Sequence, residues 1–404
     1  MVNRRLVTMP FLGFASGLPL ALTSGTLQAW LTVAGLDIQA IGFFSLIGVP
    51  YTLKFLWSPA MDRYTPDFLG RRRGWLISVQ IVLLIAIGFL SRLNPLEHIG
   101  LLAFAALTIA FLSASQDIAF DAYRADVLRA RERGLGVALS VIGYRVGMLV
   151  SGALALIMAD RMGWSMTYLA MAALILFGVA ATLWSEEPER PADAPARMLD
   201  AIAEPIRQFF SRTNALALLV LIVLYKLGDA FAGSLTTAFL IGGMTFTLSD
   251  VGVINKGLGL GCSLLGVALG GALMNRWGMY RSLVAFAVLQ GVSNLGFWAL
   301  AWLGKNYALL ALVIALENLS GGMGTAAFVA LLMGLCDPRY TATQYALLSA
   351  IASLSRVFVG PASGQMVAVI GWANFFLATF VVSLPVFWLL HRSRVDIANL
   401  HAAR

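Results

Sequence analysis

Apolar stretches about twenty residues long, set apart by short polar connections, recur from one end of the chain to the other. A helix rises 1.5 Å per residue, so about twenty such residues cross a hydrocarbon core roughly 30 Å thick. By that measure the pattern predicts twelve transmembrane helices: Pro10–Leu31, Ile41–Trp57, Trp75–Leu93, Ile99–Asp121, Gly134–Ala159, Ser165–Trp184, Ala215–Ile241, Val251–Met274, Ser282–Leu303, Ala308–Met333, Thr343–Ile370 and Ala373–Leu390. The predicted fold is an all-α polytopic membrane protein. Its longest polar connection, Ser185–Arg212, carries Glu186, Glu187, Pro188, Glu189, Arg190 and Pro191 and divides the runs six and six. The expected domains are therefore residues 1–184, a linker over 185–213, and residues 214–404.

Composition agrees with that pattern. Of 404 residues 59% are hydrophobic and only 12% charged, against roughly 25% charged in a water-soluble domain. A net charge of +8 in so apolar a chain belongs to loops rather than to a nucleic-acid surface. Of the 28 Lys and Arg, five lie inside runs and only Arg92, Arg161 and Lys305 lie in one set of alternate connections; the other 20 fall in the second set, which includes both termini. Basic loops stay on the cytoplasmic side, so both termini are expected there. Arg4 and Arg5 ahead of the first run resemble the start of a signal peptide, but no small-residue cleavage site follows, and the run is read as a retained first helix. Cys262 and Cys336 form no framework and are read as small apolar core residues. The three histidines, His98, His391 and His401, sit in connections or the tail, and no acid or Cys group has metal-ligand spacing. Neither enzymatic chemistry, nor a metal, nor a cofactor is expected.

The two sets of six runs repeat one another. Ser58-Pro-Ala-Met-Asp62-Arg63-Tyr64, with Arg71, Arg72 and Arg73 beyond it, aligns with Gly271-Ala-Leu-Met-Asn275-Arg276-Trp277 at an offset of 213. In the fifth and eleventh runs Arg145…Gly152 aligns with Arg356…Gly364, starting at an offset of 211. Two six-helix halves related in this parallel sense are the plan of the major facilitator superfamily, whose substrate site lies between the halves near the bilayer midplane. The loop resembles that superfamily's Gly-x-x-x-Asp-Arg-x-Gly-x-Arg-Arg signature, with Ser58 in place of the leading Gly and Asn275 in place of Asp in the second copy. That resemblance implies a charged gate on the cytoplasmic side formed by Asp62, Arg63 and Arg276.

Charges inside the runs are the candidate working parts, because an ionised side chain in hydrocarbon costs about 2.5–3.5 kcal/mol and so faces a protein interior or a water-filled cavity. Asp117 and Asp121 share one helix face at i, i+4. Arg145, Lys226, Asp229, Glu317 and Arg356 fall about ten residues from a run end, near the midplane. Lys54 lies at the level of Asp117 and Asp121, either reaching them or snorkelling to headgroups; Lys256 lies nearer the outer face. Lys226 gives Asp229 a cation at i, i+3, whereas Glu317 has none within a turn. Glu317 is thus the first choice as proton carrier and Asp229 as switching partner, with Asp117 and Asp121 as further proton-coupling candidates. Tyr144 and Arg145 point about 100° apart, and of the two Arg145 is taken to face the cavity. Glycines crowd the eighth run and follow Glu317 and Asn318 in the tenth, consistent with close helix packing or bending.

Gly13–Trp30, Phe55–Tyr64, Ser113–Tyr123, Leu224–Phe231 and Glu317–Thr325 together resemble the AmpG muropeptide permeases, a likeness that runs through all twelve spans. The resemblance implies a bacterial inner-membrane proton symporter, expected to act as a monomer, that imports N-acetylglucosaminyl-1,6-anhydro-N-acetylmuramic acid with or without its peptide for peptidoglycan recycling. Arg145, Arg356 and Lys226 suit the carboxylates of such a substrate. Gln28, Trp30, Gln116, Tyr144, Tyr225 and Asn318, with Lys54 and Lys256, are further candidates for contact with it. The competing reading is a proton-driven exporter, or a permease of another amphiphilic or sugar-containing solute, on the same fold.

Overall fold

The computed structural model describes residues 3–64, 66, 68–129, 132–188, 207, 210, 214–336 and 341–397. The side chains of Asp62 and Arg63 lie outside the described residues, as does most of the expected linker 185–213. Every regular element among them is helical. Eight apolar stretches cross once: α1 (Arg4–Val33), α2 (Ile38–Leu56), α3 (Arg71–Leu90), α4 (Ile99–Val127), α7 (Ala215–Gly243), α8 (Leu248–Trp277), α9 (Met279–Leu303) and α10 (Tyr307–Gly334). The remaining two, Gly134–Trp184 and Leu347–Arg392, are 51 and 46 residues long, more than twice what one crossing needs. Each is broken at a glycine, Gly163 (φ 80°) and Gly371 (φ 74°), a backbone conformation that residues with a Cβ rarely adopt. They therefore hold α5 (134–162) and α6 (164–184), and α11 (347–370) and α12 (372–392), which brings the spans to twelve.

These breaks sharpen the internal repeat. Both glycines are followed by Trp, at Trp164 and Trp372. Gly70 and Gly278 likewise share an extended, positive-φ conformation (φ 86° and 76°) just ahead of α3 and α9. The offset of 213 at Asp62 and Asn275 has become 208 at Gly70 and Gly278, so the first copy carries five extra residues and its basic cluster is displaced by them.

The helices gather into two compact units. The first comprises Met1–Asp37, Leu46–Ala192 and Thr247–Lys256; the second Ile38–Ser45, Asp193–Phe246 and Gly257–Arg404. The start of α2 thus belongs to the second unit and the start of α8 to the first. In the first unit, Asp160 at the end of α5 accepts from the Ser249 amide (3.3 Å) and hydroxyl (2.5 Å). In the second, Gly42 and Gly360 approach until a Cβ on either would overlap the other's backbone, and Ser45 donates to the Val357 carbonyl at 3.0 Å. Small residues allow such contacts where lipid supplies no hydrophobic drive between helices.

The apolar core of the first unit centres on Met9, Leu12, Leu76, Phe120 and Tyr123, that of the second on Leu221, Leu283, Phe286, Leu331 and Leu390. Large apolar residues such as Phe104, Trp302 and Val369 face outward instead, as a bilayer requires. A charged rim closes the end of the first unit that carries the N-terminus. Arg71 and Arg72 both donate to Asp126 (3.2 and 2.7 Å), and Glu187 accepts from the amides of Arg72 and Arg73 in the first turn of α3 (2.9 and 3.0 Å). Carboxylates are favoured at a helix N-terminus. Arg73 reaches the Thr182 and Leu183 carbonyls at the end of α6, and Arg5 pairs with Glu186 at 2.8 Å. Asn3 donates to Glu132 at 2.8 Å, which, with the Arg129 amide, holds that carboxyl below the usual glutamate range.

Candidate functional site

In the second unit the site is built on a break in α7. The helix ends at Tyr225, Lys226 takes φ −103° and ψ 0°, and a new segment, Leu227–Ser234, begins with Asp229 in its first turn. Broken helices of this kind set polar groups at membrane depth against their own freed backbone. The Lys226 ammonium lies 3.3 Å from Asp229 Oδ2 and also donates to the Gly321 carbonyl of α10 at 3.4 Å. Gln290, on α9, donates its Nε2 to the same Oδ2 at 2.6 Å. Arg356 on α11 and Glu317 on α10 lie within electrostatic reach of Lys226, and Arg356 also of Asp229. Glu317 accepts from Asn318 Nδ2 at 2.6 Å. The arrangement is a carboxylate with two donors and a neighbouring cation, half-buried in a span, where breaking the pair is costly.

The first unit holds a differently made cluster. Asp117 on α4 accepts a hydrogen bond from Ser16 on α1. Lys54, in a short 3₁₀ turn ending α2, lies 4.0 Å from Asp121 rather than on Asp117, and Asp121 also pairs with Arg124 at 2.9 Å. Tyr51 and Tyr144 stand within electrostatic reach of Asp117. The Tyr51 hydroxyl is buried against those of Ser113 and Thr23, and both amide atoms of Gln116 are buried with no hydrogen-bond partner among the described residues.

Other sequence candidates are placed as follows. Arg145, Tyr144, Gln28 and Lys256 are half-buried, Lys256 in a π-helical first stretch of α8 whose side chain lies near Gly152 of α5. Arg356 and Arg276 are exposed. Two aromatic candidates are committed to packing instead. Trp30 is buried, stacked on Trp164 at 5.8 Å and against Tyr168 at 5.0 Å. Tyr225 is buried, stacked on Phe328 at 5.3 Å with its hydroxyl donating to the Leu283 carbonyl at 3.2 Å. Sequence reasoning missed Gln290, Ser16 and Tyr51. For Gln290 a signal existed: amides at Gln290 and Asn294, four residues apart on one face of an otherwise apolar run.

Comparison with known proteins gives a consistent picture. The model of the Major Facilitator Superfamily matches residues 6–358. The chain is 53% identical over 387 residues to the anhydromuropeptide permease of Escherichia coli K12, covering 96% of this chain and 79% of that protein. It is 37% identical over 405 residues to an uncharacterized protein of Haemophilus influenzae Rd, covering 96% of this chain and 95% of that one. Among solved structures, a bacterial homologue of the human lysosomal transporter Spinster, inward-facing and unoccupied, superposes with a TM-score of 0.77 at 14% identity over 99% of both chains.

Proposed function

The chain belongs to the major facilitator superfamily and, within it, to the anhydromuropeptide permease family, and from that premise we propose that it imports anhydromuropeptides with protons across the bacterial inner membrane for peptidoglycan recycling. The substrate class rests on the E. coli relative. Coupling rests on one observation, the Lys226–Asp229–Gln290 arrangement at the break in α7. While Asp229 is charged it holds Lys226; once protonated it no longer does, and Lys226 is released to meet an anionic group of the substrate. Proton and substrate then enter the site together because each removes an obstacle to the other. In this proposal Asp229, which sequence spacing suggested as the switching partner, also takes the proton, the role that spacing suggested for Glu317, because its protonation would loosen its contact with Lys226. Asp117, whose hydrogen-bond donor among the described residues is the Ser16 hydroxyl, is proposed as a second acid facing the path, and Asp121 as part of the rim beside it.

Arg145 and Arg356 occupy repeat-related positions and are proposed to recognise carboxylates of the stem peptide, for which the guanidinium fork is suited. Gln28, Gln116, Tyr144 and Asn318 would serve the sugar hydroxyls. The bias of Lys and Arg toward one set of connections supports cytoplasmic termini, and the protein is proposed to work as a monomer. Labelled anhydromuropeptide supplied to right-side-out and inverted vesicles tests the reading. Accumulation in right-side-out vesicles that collapses with a protonophore supports it, and accumulation that ignores the protonophore removes the coupling.

A further inference from the structure

We infer that the second unit binds one water molecule between Asp229, Gln290 and Ser383, and that this water delivers the proton to Asp229 by way of α9 and α12; the inference rests on the proton coupling proposed above. A chamber of about 10 Å³ lies there, lined by Asp229 and Gly228 of α7, Gln290 and Gly291 of α9, and Ser383 of α12. A buried water needs about 10–15 Å³ and two to four polar partners. The chamber offers three. Lys226 and Gln290 both donate to Asp229 Oδ2, leaving Oδ1 outside those two bonds. The Gln290 Oε1 atom is buried with no hydrogen-bond partner among the described residues. Ser383 spends its proton on the Phe380 carbonyl at 2.6 Å and so turns lone pairs outward.

All three partners are acceptors. A neutral water can donate to two of them; a protonated water can donate to all three, so the chamber favours a guest arriving with an extra proton. The transfer is balanced: the protonated water gives one proton to Asp229 Oδ1, a neutral water and a neutral carboxylic acid remain, and Lys226 keeps its positive charge without a counter-ion. The other titratable and charged groups facing Asp229 are Lys226 and Tyr225 on α7 and Arg356 on α11, with Glu317 of α10 reaching Lys226. From α9 and α12 the facing groups are the amide of Gln290 and the hydroxyl of Ser383.

Two further features fit a path along α9. Asn294, one turn beyond Gln290, is buried with both amide atoms unpartnered among the described residues, and Ser293 next to it hydrogen-bonds Ser320 at 3.0 Å. Gly324 makes room for the Gln290 amide, since a Cβ there would lie 2.4 Å from Nε2. Gln290 is accordingly a positioning residue: it fixes the carboxylate and presents an acceptor to the water.

The test uses the full chain reconstituted in vesicles with labelled anhydromuropeptide as probe. It compares accumulation driven by an imposed proton gradient with exchange of substrate across the membrane without a gradient. Ser383→Ala removes an acceptor, and Gly291→Ala puts a methyl group where it would lie 3.0 Å from Ser383 Oγ, in the chamber. Each is expected to lower driven accumulation about tenfold, the worth of one hydrogen bond to a charged group. Exchange, which needs folded protein and a substrate site but no net proton transfer, stays within about twofold of wild type. Loss of exchange in step with accumulation would make these residues structural and overturn the inference. So would variants that accumulate like a wild type whose accumulation a protonophore abolishes. Wild-type accumulation that withstands the protonophore would instead defeat the coupling itself, and the water's role with it.

Discussion

Each unit carries an acid within a span, and the two are held in contrasting ways. Asp229 is tied at one oxygen by an ammonium and an amide, 3.3 and 2.6 Å away, at a helix break. Asp117 sits in continuous α4 and takes a hydroxyl from Ser16, while Lys54, within its electrostatic reach, lies 4.0 Å from the more exposed Asp121, which also pairs with Arg124. An acid with a direct counter-ion changes its neighbour's state when it is protonated. An acid with a hydroxyl partner changes little, because a hydroxyl can donate to the charged form or accept from the neutral one. The comparison supports the proposal that the second unit switches and the first plays a supporting role.

The widest separation between them should come from removing each charge. Asp229→Asn is expected to cut gradient-driven uptake about a hundredfold, because it leaves Lys226 in the span without its partner. Asp117→Asn should cost about tenfold or less. Glu317→Gln should fall on the Asp117 side of that divide; if it instead abolishes accumulation while Asp229→Asn retains it, the roles are reversed. Uptake measured on protein of matched membrane abundance decides.

The next effect asks whether the repeat-related arginines serve substrate or structure. Arg145→Gln and Arg356→Gln should each weaken competition by peptide-bearing substrate about tenfold while leaving the bare anhydro-disaccharide within about twofold. Lysine should restore only part of the loss, since it keeps the charge without the planar fork. Equal loss for both substrates would place the arginines in gating.

Smaller effects belong to the rim of the first unit. Arg72→Ala should lower thermal stability by about 2 kcal/mol, and Arg71→Ala by less, because Arg72 is the more buried and lies closer to Asp126. Denaturation of the purified protein in detergent checks the order. The smallest concerns Glu132, whose carboxyl is held low by Asn3. A carboxyl with a lowered value in the folded chain stabilises at neutral pH, and that contribution is lost as pH falls through the lowered value. Proteolysis at the N-terminus should therefore speed up only below the ordinary glutamate range, and Glu132→Gln should flatten that dependence.

Much of the fold was legible in the sequence because lipid imposes a simple rule, about twenty apolar residues per crossing. Gly163 and Gly371 were legible only as loop positions; that α5 continues so closely into α6, and α11 into α12, depends on a positive φ that no hydropathy pattern encodes. The membership of 38–45 and 247–256 in opposite units was hidden because it arises from backbone contacts such as Gly42 on Gly360. At the site, Lys226 and Asp229 were readable from i, i+3 spacing. Gln290 and Asn294 mark a polar face of their run, but the meeting of Gln290 with Asp229 is a contact across 61 residues that no local pattern encodes. Trp30 and Tyr225 read as sugar contacts by residue type, yet aromatic neighbours take up their rings, which no local pattern could have revealed.

The most direct test of the account is the movement of protons with substrate. Vesicles containing the reconstituted protein and an internal pH dye would receive anhydromuropeptide with no gradient imposed. The account predicts that the interior acidifies as substrate enters, and that Asp229→Asn abolishes this acidification. Substrate entry without any change of internal pH in the wild type would contradict it.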